Sequence, residues 1–256
     1  MQKLKANIIK VLTMNIKIKK ILETIEKENN VKILFAVENG SRAWRMESKD
    51  SDYDVRFVFA YSVNEYIKIN KPVEVINGFY DKNGLKCDAK EALIDVSGFD
   101  IFKYMKLLAD SNPTTIEWLM SDIVYYGEQN KVLKDFILDN FSPKTLFYHY
   151  KSLGRTNYYD FIKRNNKVTH KKYLYVFRGL INALCVYNNN TIPPINFLEA
   201  VENSKEIMEK TVYLKLQEII KLKSQGKEKD DISNIDIFDN YIEDFLANNY
   251  EKPSKN

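Results

Sequence analysis

The spacing of apolar residues changes near Phe99, and that change limits the folds open to this 256-residue chain. Before it, the runs VKILFAV (31–37) and DVRFVFA (54–60) have the length and the β-branched and aromatic content of strands. Residues 73–80 and 86–96 read as two more strands around the turn DKNG at 81–84. A helix over 15–28 precedes them, with Ile18, Ile21, Leu22 and Ile25 at helical spacing. From Phe99 the pattern is helical until Asn112-Pro113, where the proline stops it. Beyond that point only 123–126 has strand character. Helices are expected over 113–120, 128–139, 143–164, 170–187, 195–201, 204–222 and 235–248. Residues 223–233 read as a polar hinge, and the last six as loose. The organisation expected is an α/β domain over 1–110 and a helical domain over 111–256.

An apolar fraction of 45% and a charged fraction of 29% fit a globular chain and exclude a collagen, a mucin-like stalk or full disorder. No apolar run has the length of a bilayer span, and the N-terminus alternates Lys with Ile instead of building a signal-peptide core. A cytoplasmic protein is expected. Two cysteines and two histidines are too few for a disulfide framework or a four-ligand zinc site. The net charge of +4 is unevenly spread: residues 140–198 hold nine basic side chains and one acid, Asp160. Such a block points to a polyanionic ligand, a nucleic acid or a nucleoside triphosphate, although a solvated lysine-rich surface has the same composition. Arginine is scarce, six against 33 lysines, so Arg42, Arg155 and Arg178 are expected where a planar fork is needed.

The chemistry concentrates in ENGSRAWRMESKDSDYDVRFVF, residues 38–59. A strand delivers the backbone to Gly40-Ser41, where a tight turn opens a helix. Glycine allows close approach to a phosphate, the serine hydroxyl can donate to it, and the helix start adds partial positive charge. Asp52 and Asp54 follow at the mouth of the next strand, where alternation puts both carboxylates on one face. Like charges so placed are stable chiefly when they share cations, and hard oxygen ligands suit Mg²⁺ or Mn²⁺. A third acid, Asp95, sits in the apolar run LIDV. The same aspartates could also serve as turn and cap residues. Lys171, Tyr175 and Arg178 share a helix face at i, i+4 and i+7, which suits a triphosphate and a base as well as it suits a wet surface.

Gly40-Ser41, Asp52-x-Asp54 and the apolar-flanked Asp95 resemble the signature of the DNA polymerase β-like nucleotidyltransferase superfamily. With IDVSGF (94–99), SNPTTIEWL (111–119) and KKYLYVFR (171–178), the chain is similar to the RNA-ligase-associated predicted nucleotidyltransferases of bacteria and phages from about residue 31 to 198. Arg45 departs from the pattern, which has a small residue, often glycine, after the tryptophan. The resemblance implies an α+β fold, a polymerase β-like palm with a small mixed sheet flanked by helices and followed by an all-helical domain. It implies that Gly40 and Ser41 bind the nucleotide phosphates and that Asp52, Asp54 and Asp95 bind two Mg²⁺ or Mn²⁺ ions; Arg42 and the Lys171, Tyr175 and Arg178 face are expected, from their charge and spacing, to complete the nucleotide site. The expected reaction is NMP transfer from an NTP to an acceptor hydroxyl, with an RNA or tRNA 3′ end as acceptor. A small-molecule or protein hydroxyl, or a non-catalytic nucleotide- or RNA-binding module, are the alternatives.

Overall fold

In a computed structural model of the chain the described residues are 2–48, 51–165, 167–224, 230–248 and 250; for 2–11 and 224 the description is of the backbone only. Residues 225–229 of the expected hinge and the six terminal residues lie outside the described part. The chain packs as two compact units, one of residues 1–43, 51–108 and 114–134, the other of 44–50, 109–113 and 135–256. Among the described residues no helix is long and apolar enough to cross a membrane.

The first unit is built on a five-stranded mixed sheet in the order β3-β4-β2-β1-β5. Its strands are β1 (Lys32–Asn39), β2 (Tyr53–Ala60), β3 (Val75–Tyr80), β4 (Ile94–Asp100) and β5 (Val124–Gly127). Only the β2–β4 pair is parallel; β1–β2, β1–β5 and β3–β4 are antiparallel. Helix α1 (Gln2–Asn29) covers one face, driving Met14, Ile18, Ile21, Leu22 and Ile25 against Ile33, Val55, Phe57, Ile94 and Val96. Each of these aliphatic and aromatic side chains contributes about 1.5–3 kcal/mol on full burial, so this layer dominates the unit's stability. The opposite face carries α4 (Ile101–Ala109) and α5 (Pro113–Met120), held by the ring pairs Phe35–Tyr104 at 5.7 Å and Phe99–Trp118 at 4.5 Å. Two single-turn helices, α2 (Gly40–Ala43) and α3 (Val63–Tyr66), follow β1 and β2.

One strand is displaced from its expected place. Residues 86–93 do not form a strand beyond an isolated Tyr80–Lys86 bridge; the ladder begins at Ile94 and runs on through Phe99 to Asp100. Residues 86–93 are exposed or half-buried and carry four charged side chains, whereas Phe99 packs on Trp118.

The second unit contains α7 (Pro143–Tyr158), α8 (His170–Asn189), α9 (Phe197–Asn203), α10 (Lys210–Ser224) and α11 (Asp236–Ala247), after α6 (Lys131–Asn140), which begins in the first. Ser142 caps α7 through the Thr145 amide, with Pro143 at its first turn, and Thr169 caps α8. The two helices cross where Gly179 faces Gly154: a Cβ on Gly179 would lie 2.6 Å from the Gly154 nitrogen, so the crossing needs glycine. Two features depart from the expected all-helical pattern. Residues 159–163 form a π-helical turn in place of continued α-helix, and β6 (Val168–Thr169) pairs with β7 (Asp231–Ile232). The expected helix over 204–222 starts only at Lys210, after turns following α9.

Candidate active site

The alternation that buries Tyr53, Val55 and Phe57 under α1 turns Asp54 and Arg56 to the other face of β2. Parallel pairing sets Asp54 directly opposite Asp95 on β4. Two carboxylates on adjacent strands repel, and the chain answers with an arginine. Arg56 Nη2 donates to Asp54 Oδ1 at 3.1 Å and to Asp95 Oδ2 at 3.0 Å, while Nη1 donates to the Asp95 carbonyl at 3.0 Å. The three side chains are 29%, 36% and 16% exposed for Asp54, Asp95 and Arg56, so the cluster is reachable from solvent yet only partly screened. Its net charge is −1, which leaves it attractive to a further cation.

Gly40 closes over this pair. It follows β1 with φ +63°, in the left-handed region, and a Cβ there would lie 1.9 Å from Asp54 Oδ2. The residue must be glycine on both counts. Arg42, two residues on, donates to the carbonyls of Ser51 at 2.8 Å and Asp52 at 3.1 Å, and its guanidinium lies 3.8 Å from the Tyr53 ring centroid. The guanidinium expected on a nucleotide therefore pins the backbone that leads into β2. Ser41 is buried beside Gly40.

Asp52 stands one residue before β2 and is exposed. Among the described residues no three His, Cys, Asp or Glu side chains are gathered into a metal cage. In this structure Arg56 bridges Asp54 and Asp95, and Asp52 stands at the mouth of the same strand. The donor set still fits a hard divalent cation, since it offers carboxylate oxygens from two strands in register.

Beneath Asp54 lies Glu38, fully buried at the end of β1. Its Oε1 accepts from the Asp54 amide at 2.7 Å, and Oε2 accepts from the Tyr125 hydroxyl. Burial pushes its carboxyl up to about 7, with the Asp54 charge adding to the rise and the two donors opposing it. The Ser121 hydroxyl donates to the Glu38 carbonyl at 2.6 Å, so three elements fix this residue. The sequence reading missed both Glu38 and Arg56. Arg56 was findable, because D-x-D-x-R on a strand puts all three side chains on one face.

In the second unit, Lys171, Tyr175 and Arg178 do share a face of α8, but it is a stack. Lys171 Nζ lies 5.6 Å from the Tyr175 ring, Tyr175 meets the Trp44 ring edge-on at 5.9 Å, and the Arg178 guanidinium carbon lies over the Trp44 ring, 3.6 Å from its centroid. Arg178 is buried, with its guanidinium against the indole of Trp44. Arg45, directly after that tryptophan, has φ +58°. The position calls for the left-handed conformation glycine adopts without cost, which explains why an arginine there departs from the pattern.

A sequence model of the RNA repair pathway DNA polymerase beta family matches residues 14–255. The chain belongs to that family. It is 34% identical over 227 residues to the uncharacterized protein YcgL of Bacillus subtilis strain 168, covering 87% of this chain and 81% of that protein. A crystal structure of a nucleotidyltransferase-like protein from Exiguobacterium sibiricum 255-15 aligns over 90% of this chain and 72% of that one, with 13% identity and a TM-score of 0.31. Membership makes the chain a polymerase β-like nucleotidyltransferase, and nucleotidyl transfer is its activity class.

Proposed function

We propose that this chain transfers a nucleoside monophosphate from an NTP to the 3′ hydroxyl of an RNA, releasing pyrophosphate. The observation that carries the reading is the Asp54–Asp95 pair, set opposite each other by the parallel β2–β4 pairing, with Gly40 packed against one carboxylate. Asp52, Asp54 and Asp95 would hold divalent Mg²⁺ or Mn²⁺, which supplies charge neutralisation at the triphosphate and makes the acceptor hydroxyl more acidic. Gly40 and Ser41 let the chain approach the phosphates without a side-chain barrier. Arg42 fixes the Ser51–Asp52 backbone, and Glu38 fixes the Asp54 amide, so the acids are aimed before substrate arrives. Arg56 holds Asp54 and Asp95 together against their repulsion. The acceptor oxygen forms its bond to the α-phosphorus as the bond to pyrophosphate breaks, and the hydroxyl proton passes to a carboxylate of this cluster or to water. Catalysis by such a site is mainly positioning and electrostatics.

RNA as acceptor is supported by the family's placement in RNA repair and by the basic block over 140–198. The test is incubation with each α-labelled NTP, Mg²⁺ and total RNA, with Asp54→Asn in parallel. Label in RNA from the native chain and none from the variant is the expected result. Label in protein or in a small molecule would overturn the RNA acceptor; no transfer from any NTP would overturn the reaction.

A further inference from the structure

Helix α7 and the first residue of the π-helical turn after it expose a row that the catalytic site does not use. Tyr148, Lys151, Ser152, Arg155 and Tyr159 follow one another at helical spacing and line an open cavity of about 690 Å³, closed on its other side by α11. The two tyrosines are 43% and 38% exposed and stand about 16 Å apart along the helix axis, with both cations between them. Lys151 donates to the Asn248 carbonyl at 2.9 Å and lies 5.0 Å from the Tyr250 ring. The guanidinium of Arg155 lies 5.8 Å from the Tyr159 ring, and among the described residues no carboxylate pairs with it. Burial and the neighbouring Arg155 charge hold the Lys151 ammonium below its ordinary range, a mutual repulsion that a bound anion would relieve.

Glu243 is the acid of this cavity, and its charge is already matched. It takes the Lys163 ammonium at 2.5 Å and the Tyr158 hydroxyl at 2.8 Å, which hold its carboxyl below the ordinary range. The π-helical turn after Tyr158 ends at Lys163 and is of the kind that recurs at binding sites. The one acid of the basic block, Asp160, is paired with Arg164 at 3.4 Å. The cavity therefore presents two cations between two exposed phenol rings.

We propose that this cavity is the binding groove for a single-stranded RNA, its phosphates on Lys151 and Arg155 and its bases stacked on Tyr148 and Tyr159. The inference rests on the RNA-acceptor reading and locates the strand on α7, whereas Lys171 and Arg178 are engaged in the Trp44 stack. Two adjacent cations flanked by aromatic rings offer a single strand both phosphate contacts and stacking platforms. An acidic peptide would satisfy the cations but offer nothing for the rings to stack on.

The test is fluorescence anisotropy of a labelled single-stranded RNA of mixed sequence on the full chain, in EDTA so that no transfer occurs. Lys151→Gln and Arg155→Gln should each flatten the slope of log affinity against log salt by about 0.7. Tyr159→Leu should weaken binding roughly tenfold while leaving that slope unchanged. Circular dichroism of each variant checks that it is folded, and Arg155→Lys should restore the slope. Unchanged slopes in both glutamine variants would overturn the groove, as would equal competition by polyglutamate and by unlabelled RNA. No RNA binding by the native chain at about 50 mM salt would overturn it too. In each case labelled-NTP transfer to some other acceptor would still stand as a separate result.

Discussion

Replacing Glu38 by glutamine should remove most of the pH dependence of stability between about pH 4.5 and 7. Glu38 is fully buried, and its carboxyl titrates near 7 in the folded chain against an ordinary value of 4.5 when unfolded. Between those values the native state holds a proton that the unfolded state has lost. Stability therefore falls as pH rises, by about 1.4 kcal/mol per pH unit and about 3 kcal/mol over the window. The contribution is complete below 4.5 and gone above 7. Asp81 and Glu243 are held below their usual range, so they act only at lower pH, where their contributions are lost as pH falls. Glutamine keeps an oxygen for the Asp54 amide and offers its own amide to the Tyr125 hydroxyl. Urea unfolding in EDTA, followed by tryptophan fluorescence at several pH values, reads the effect. The native chain should lose about 3 kcal/mol between pH 4.5 and 7, and Glu38→Gln should be nearly flat. Parallel slopes for the two proteins would refute the reasoning, because the proton would then be taken up elsewhere.

Gly40→Ala should cost about 2–4 kcal/mol, from the left-handed backbone and the clash with Asp54; in an Asp54→Ala background the cost should drop to about 1–2 kcal/mol, since only the backbone strain remains. Equal costs in the two backgrounds would show that the carboxylate is not what fills the space. Arg56→Met removes the bridge between two part-exposed carboxylates and should cost about 2–3 kcal/mol, with Mg²⁺ stabilising the variant more than the native chain. Equal stabilisation by Mg²⁺ would place cation binding away from Arg56. Arg178→Lys loses the guanidinium contact with Trp44 and should lower stability by about 1 kcal/mol in thermal unfolding; a rise in KM for the NTP at unchanged Tm would instead assign the arginine to the nucleotide.

Much of this protein is determined by local sequence. The β1 and β2 runs, the Pro113 and Ser142-Pro143 helix starts and the i, i+4, i+7 face of α8 depend on neighbours within a few residues, and the structure has them where sequence spacing puts them. Asp54 and Arg56 share a face for the same reason, since a strand repeats every two residues. Other features depend on partners far along the chain. Strand β4 runs on through Phe99, which packs on Trp118, and no local pattern encodes that pairing. Asp54 meets Asp95 only through parallel pairing of strands 41 residues apart in sequence, and Glu38 becomes a buried acid near neutrality only when Asp54 and Tyr125 close over it. Likewise, a free arginine fork and one set over an indole read alike in sequence, as Arg178 shows against Trp44. Short-range periodicity specifies which side chains share a face, but the charge and hydrogen bonding of a site are set by what packs against that face, which only tertiary structure decides.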